Sequence, residues 1–270
     1  MKKKVVITEK IHPDAMAMFA EREDIDVVLL PDVDPETIRR EIADADAVLV
    51  RAAAIGQDVL EGASRLQVVS RHGVGCDKIA TEYLGRRGVP VAIAAQANAG
   101  SVAEHVIMMM MVLNKQIFAY DPMTRRRDWA ARGTPRTSEL FGRTVLIVGF
   151  GRIGRRLAPI CKAFGMRVVV TDIALDADLA ASMGVESAVD FRPYLGEADY
   201  LTVHVPLKAD TNPLIGAAEL AALPPHAYVI NCACGASSTS RRWPPRFARG
   251  VSREPGPTSS STSRRDPTTR

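Results

Sequence analysis

Through residues 1–235, short runs of aliphatic and β-branched residues alternate with longer stretches that mix apolar and polar positions. The runs predict strands at Val5–Thr8, Val27–Leu30, Ala47–Val50, Leu66–Ser70 and Val89–Ile93. A second series predicts strands at Thr144–Val148, Arg167–Thr171, Tyr200–Val205 and Ala227–Asn231. Between them, Ile11–Glu21 and Pro35–Ile42 have helical character, and Pro35 sits near a helix start, where its missing N–H costs nothing. Ser101-Val102-Ala103-Glu104 has the form of a capping box, a serine followed three residues later by a glutamate. It predicts one long apolar helix from Ser101 to about Tyr120, with Met108–Met111 on its buried face. Strands separated by helices of this length predict parallel βαβ units, and hence an α/β fold.

The pattern stops after Gly235. Residues 236–270 contain eight Ser, eight Arg, five Thr and five Pro, and neither a two-residue nor a 3.6-residue period survives. Such a segment buries too little apolar surface to offset its ordering entropy, so it is expected to be disordered. Composition overall is that of a globular chain: 47% hydrophobic and 24% charged, enough for a real core. The length of 270 residues suits about two domains. The longest clean apolar run, Val106–Leu113, is far short of the roughly 20 residues of a membrane span. After Met1-Lys2-Lys3-Lys4 only Val5-Val6-Ile7 precede polar residues, which argues against an export signal. Four scattered cysteines, at 76, 161, 232 and 234, fit a reducing cytoplasm rather than a disulfide framework. The pI near 9.0 invites a nucleic-acid partner. The charge is local, however: 236–270 carries a net +6, while the other 235 residues hold 27 basic and 29 acidic groups. An Arg/Ser-rich nucleic-acid arm is therefore the weaker reading of the tail.

Val145–Val148 runs directly into Gly149-Phe150-Gly151-Arg152-Ile153-Gly154, and a helical stretch follows. A bare G-x-G-x-x-G says little, but strand before and helix after make it a dinucleotide-binding turn. Gly149 permits the tight turn, Gly151 admits the pyrophosphate, and Gly154 allows helix and strand to pack closely. The helix N-terminus offers unpaired N–H groups to the phosphates. Asp172 ends the next strand 18 residues past Gly154, placed to accept the ribose hydroxyls and to repel a 2′-phosphate. The expected cofactor is NAD. A second glycine-rich turn, Arg71-His72-Gly73-Val74-Gly75-Cys76-Asp77, follows a strand and suits a small carboxylate or a plain tight turn equally. His204 and Cys232 end strands, where open parallel sheets bind ligands or simply pack. His12, His105 and His226 have no partner pattern and read as structural or surface residues, and no H-E-x-x-H, C-x-x-C or G-x-S-x-G pattern occurs.

These residues resemble the D-2-hydroxyacid dehydrogenases, and most closely the D-3-phosphoglycerate dehydrogenase branch. The resemblance is carried by Val48–Ala52, Ser70–Asp77, Ala97–His105, Leu140–Gly154, Lys162–Met166, Val203–Leu207 and Ile230–Ala233. It implies two doubly wound parallel-sheet domains of Rossmann or flavodoxin-like type, the second incomplete. A substrate-binding domain would span 1–97 and an NAD-binding Rossmann domain 98–235. It implies that Arg152 and Ile153 flank the pyrophosphate and that Asp172 holds the ribose. Val205, Pro206, Thr211, Cys232 and Ala233 would line the cofactor cleft. Val74 and Gly75 would hold the substrate carboxylate, with Arg51 and Arg71 nearby. The implied reaction is hydride transfer between NAD(H) and a small 2-hydroxy or 2-oxo acid such as 3-phosphoglycerate, in a homodimer. The family uses an Arg to orient substrate and a Glu–His pair to move the proton. Here Cys234 occupies the Arg position, and no segment corresponding to the Glu and His is found. The tail is read as a truncated or frame-shifted C-terminus. One base out of phase, Ala236–Ser240 can encode Ile-Val-Asp-Glu, and Pro257–Ser263 can encode Asp-Val-Phe-Val-Asp-Glu, both resembling the family's own C-terminal segments. The expectation is an inactive chain with Val229-Ile230 beside an open sheet edge. The alternatives are a non-catalytic NAD-binding regulator and a nonfunctional product.

Overall fold

A computed structural model describes residues 2–206, 214–233 and the backbone of 248–249. Thr211 and Cys234 lie outside the described residues.

The first sheet holds β1 (Lys3–Ile7), β2 (Ile25–Leu29), β3 (Ala47–Val50), β4 (Val68–Arg71) and β5 (Val91–Ile93), all parallel, in the order 2-1-3-4-5. Its crossovers are α1 (Pro13–Ala20), α2 (Pro35–Ile42), α3 (Gln57–Leu60) and α4 (Thr81–Arg86). The register sets Val6 beside Val28 and Val48, and these apolar positions pack with Ile38, Ile42, Val59, Leu60 and Leu84 into one core. The second helix shows why such segments close: Asp34 accepts hydrogen bonds from the Glu36 and Thr37 amides, Pro35 fixes the first turn, and Ile38 and Ile42 are buried.

The second sheet holds β6 (Thr144–Val148), β7 (Arg167–Thr171), β8 (Glu186–Ala188), β9 (Tyr200–Val203), β10 (Tyr228–Asn231) and β11 (Ala248–Arg249), again parallel. Its order, β11-β10-β9-β6-β7-β8, is that of a dinucleotide-binding sheet. The central β6 and β9 are buried at every position, as parallel strands covered on both faces must be. Val145 and Ile147 face one core, with Leu157, Cys161 and Ile230, whereas Leu146 and Val148 face a second with Leu195, Leu201 and Ile215.

Helices α5 (Ala99–Lys115), α6 (Ile117–Arg125), α7 (Gly154–Ala163), α8 (Ala177–Ser182) and α9 (Ala217–Ala222) complete the described chain. Ala103, Val106 and Met110 of α5 pack into the first of those two cores. Of the methionine run, Met110 is fully buried, Met109 and Met111 pack partly, and Met108 faces outward.

Three expectations need correction. The capping box is not used: α5 starts at Ala99 after Asn98, so Ser101 already lies inside the first turn. Its long helix also ends early, because Gln116 adopts a left-handed conformation (φ 51°) and divides α5 from α6. The edge of β10 is not open. Ala248–Arg249, inside the segment expected to be disordered, pairs with Ile230 and Asn231 and holds the sixth place of the sheet with two residues. No single described helix is long and apolar enough to cross a membrane. The α5–α6 pair passes by length and composition but bends by 62°, and its inner face belongs to a core.

Candidate cofactor and substrate sites

In each sheet the strand order reverses at one point, and the crevice beyond the strand ends there is where open α/β sheets take ligands. In the second sheet that point lies between β6 and β9. The Gly149–Gly154 turn leaves the end of β6, and His204, Val205 and Pro206 leave the end of β9.

Two of the three glycines are required by contact. Gly149 has φ +105°, and a Cβ there would lie 2.8 Å from the His204 carbonyl carbon and oxygen. A Cβ on Gly154 would lie 2.3 Å from the Gly149 carbonyl oxygen, so the first turn of α7 rests directly on the loop. A Cβ on Gly151 would meet nothing within 4 Å, which leaves the backbone there open to a close-approaching group. Asp172 locks the turn from β7: one carboxylate oxygen accepts the Phe150 amide at 2.7 Å and the other accepts the Ala174 amide at 3.0 Å. Arg155 donates to the Phe150 carbonyl at 3.0 Å. Arg152 is exposed and Ile153 half-buried at the helix entrance. This cradle fits a dinucleotide: an open backbone at Gly151, a helix N-terminus behind it and a carboxylate at the end of β7.

On the facing strand ends, His204 bonds Thr202 Oγ1 through Nε2 at 2.9 Å. Its Nδ1 is buried with no partner among the described residues. Burial pushes its pKa down to about 4, so the ring is neutral. Cys232 and Ala233 follow β10, where the Ala233 amide donates to the Asn231 side chain at 2.9 Å. Burial pushes the Cys232 thiol up to about 11 and Cys161 up to about 12, so neither is a thiolate nucleophile at neutral pH.

In the first sheet the reversal lies between β1 and β3. Arg51 is exposed just past β3 and donates to the Lys10 carbonyl at 3.3 Å. Arg71 ends β4, but its guanidinium folds back on its own loop, donating to the Gly75 carbonyl at 2.8 Å and the His72 carbonyl at 3.0 Å. It braces the turn in addition to standing near it. No acceptor for the amides of Val74 and Gly75 is found among the described residues, which leaves them available to an anion. His72 is exposed.

Sequence reasoning missed Glu9. Its carboxylate, at the end of β1, accepts the amides of Arg51 (3.1 Å), Ala52 (2.7 Å) and Ala53 (3.1 Å) and the Thr8 hydroxyl (2.9 Å). Partial burial alone would raise its pKa. The Ala52, Ala53, Thr8 and Arg51 donors outweigh that and hold it below the ordinary carboxylate range. The three amide partners lie more than 40 residues away, so no local spacing marks the residue. At the opposite end of the second sheet, Asp199 ties Arg143, His226 and the Thr144 amide together. That cluster is a brace across three strands, which agrees with reading His226 as structural.

Residues 107–241 match the family model described as D-isomer specific 2-hydroxyacid dehydrogenase, NAD binding domain. The chain is 34% identical over 233 residues to D-3-phosphoglycerate dehydrogenase of Methanocaldococcus jannaschii, covering 86% of this chain and 44% of that protein. It is 35% identical over 233 residues to the Bacillus subtilis protein of the same name, covering 86% and 43%. The chain thus spans under half the length of the curated relatives it matches. Among solved structures, D-lactate dehydrogenase from Aquifex aeolicus, in complex with NAD and lactic acid, has the same fold. It matches with a TM-score of 0.80 at 24% identity over 88% of this chain and 71% of that one. With its cofactor turn, sheet order and strand-end residues in place, the chain belongs to the D-isomer specific 2-hydroxyacid dehydrogenase family and carries that family's NAD-binding domain.

Proposed function

We propose that this protein is built for NAD-dependent hydride transfer on a small D-2-hydroxy or 2-oxo acid, with 3-phosphoglycerate as the leading substrate. We further propose that the 270-residue chain holds the cofactor without turning it over. The observation that carries the cofactor reading is the Gly149–Gly154 turn, seated on the end of β9 and tied by Asp172. NAD, when bound, supplies the hydride acceptor. The chain's own residues do the rest. The α7 N-terminus and the Gly151 backbone bind phosphate oxygens. Asp172, whose oxygens already accept two amides, faces ribose hydroxyls with its remaining lone pairs and disfavours a 2′-phosphate. Val205, Pro206, Cys232 and Ala233 line the cleft. The Val74 and Gly75 amides bind the substrate carboxylate, with Arg51 and Arg71 beside them. The substrate name comes from the D-3-phosphoglycerate dehydrogenases among the relatives.

The step that fails is orientation of the substrate carbonyl. The family resemblance gives that task to an Arg, and Cys234 offers no charged donor at its position. In this reading 1–97 is the substrate domain and 98–235 the cofactor domain. The chain pairs as a homodimer through the apolar surface at Ile117, Phe118 and Trp129, which are 47%, 82% and 66% exposed. It acts in the cytoplasm, with no nucleic acid or membrane partner. A role as an NAD-responsive regulator is the second reading, favoured by an intact cofactor turn in a chain whose sequence has Cys234 where the family has its Arg.

Thermal melting with NAD and NADH oxidation with hydroxypyruvate test both halves. NAD at 100 times its Kd stabilises a protein by about 2.7 kcal/mol, so the melting temperature rises by several degrees. NADP gives a smaller rise, and D172A abolishes the preference. No NADH is consumed. Absence of any shift with NAD sinks the cofactor reading, and turnover at rates near those of an intact relative sinks the claim of inactivity.

A further inference from the structure

The β1–β3 crevice of the first sheet is filled by the protein's own carboxylate. Three successive backbone N–H groups, those of Arg51, Ala52 and Ala53, converge on Glu9 Oε2 at 3.1, 2.7 and 3.1 Å. Ala52 also reaches Oε1 at 3.0 Å, and the Thr8 hydroxyl donates to Oε2 at 2.9 Å. Successive amides of this kind form an anion-binding concavity. Here that concavity is spent on Glu9, so the arriving anion meets what the clamp presents instead. The clamp sets the backbone of the residue that carries the exposed Arg51 guanidinium, which in turn donates to the carbonyl of Lys10, the residue after Glu9. Both ends of the Arg51 side chain are thus referenced to one short segment at the end of β1.

We infer that Glu9 is a positioning residue for the anionic-substrate subsite. Its carboxylate holds the 51–53 amides and so fixes where the Arg51 guanidinium meets the ligand. The inference rests on the substrate reading above only for the identity of the ligand. The clamp stands on its own distances. Glu9 itself touches no reacting atom, and NAD, bound on the other sheet, does not depend on it. A glutamine holds the clamp less well, because it carries no charge and sets an NH2 in place of the oxygen that takes the second Ala52 contact.

The test uses the full 270-residue chain, as wild type and E9Q, with D-3-phosphoglycerate as the probe. Amide hydrogen exchange at 51–53 is followed by NMR, and Kd values for D-3-phosphoglycerate and NAD are taken by calorimetry. In E9Q the three amides are expected to exchange at least tenfold faster. The D-3-phosphoglycerate Kd rises at least tenfold, and the NAD Kd stays within twofold. A merely structural role would move both ligands together. Unchanged protection, or D-3-phosphoglycerate affinity within twofold of wild type, overturns the inference. If wild type does not bind D-3-phosphoglycerate, the substrate reading falls, and the exchange rates alone decide the clamp. If E9Q does not fold, T8V removes one donor to the carboxylate at nearly constant volume. A D-3-phosphoglycerate Kd raised about threefold then supports the inference, and an unchanged one overturns it.

Discussion

His204 is held neutral by burial, with a pKa of about 4 in place of 6.5. The unfolded chain therefore binds a proton that the folded chain refuses between those two values. Stability rises with pH across that window, so acidifying through it removes about 3 kcal/mol through this one residue, and the loss levels off below pH 4. H204Q should flatten that part of the urea-midpoint-against-pH curve, and an unchanged slope would show that another group is responsible. Gly154 makes a second prediction at this scale. Alanine there would put its Cβ 2.3 Å from backbone, not from a yielding side chain. G154A should lose about 1–3 kcal/mol in denaturant unfolding and bind NAD at least tenfold more weakly in calorimetry. The glycine turn and the acid that ties it were legible because their pattern is local: glycines at fixed spacing, then an aspartate at the end of the next strand. Glu9 was not, because its meaning comes from amides brought to it by sheet pairing. The second job of Arg71, bracing its own turn, was invisible for a related reason: the spacing shows a guanidinium near the loop but not which way it folds.

At the scale of elements, strands were the easier half. β3, β6 and β7 have the bounds the sequence predicts, since a buried strand shows itself as a nearly unbroken apolar run. β8 escaped notice, being three residues, Glu186–Ala188, without an aliphatic run. Helix ends failed where capping logic was trusted alone. Ser101 and Glu104 carry the right letters, yet the chain is already helical from Ala99, because tertiary packing of Ala99 and Ala103 begins the helix earlier. Where the cap is used, it is testable. Asp34 serves the amides of Glu36 and Thr37 at 3.1 and 3.2 Å. D34A should cost about 1 kcal/mol by urea unfolding, and D34N much less.

Across the whole molecule the buried residues fall into separate cores. One is drawn from residues 6–89, and the other two, on opposite faces of the second sheet, from residues 103–230. Calorimetry should therefore resolve two unfolding transitions, and NAD should raise only the one belonging to the second sheet. A single transition displaced as a whole by NAD would mean that the two units melt together. The α/β class was readable from the strand–helix alternation, and the doubling of the sheet from the family resemblance. The sixth strand was not: β11 lies in a stretch with no periodicity, and only pairing with β10 gives it an extended shape.

Strand order also sets a timetable for synthesis. The five strands of the first sheet all lie within residues 3–93, so that sheet can close soon after its last strand leaves the ribosome. The second cannot. β6 is made early yet sits at its centre, and Val145 waits for Tyr200, 55 residues later. At about 5–20 residues per second the wait is roughly 3–11 s. For that interval a strand of four aliphatic residues after Thr144 has one side unclaimed, and it is then that a nascent chain of this design is most exposed to chaperone capture or to pairing with its neighbour on the same message.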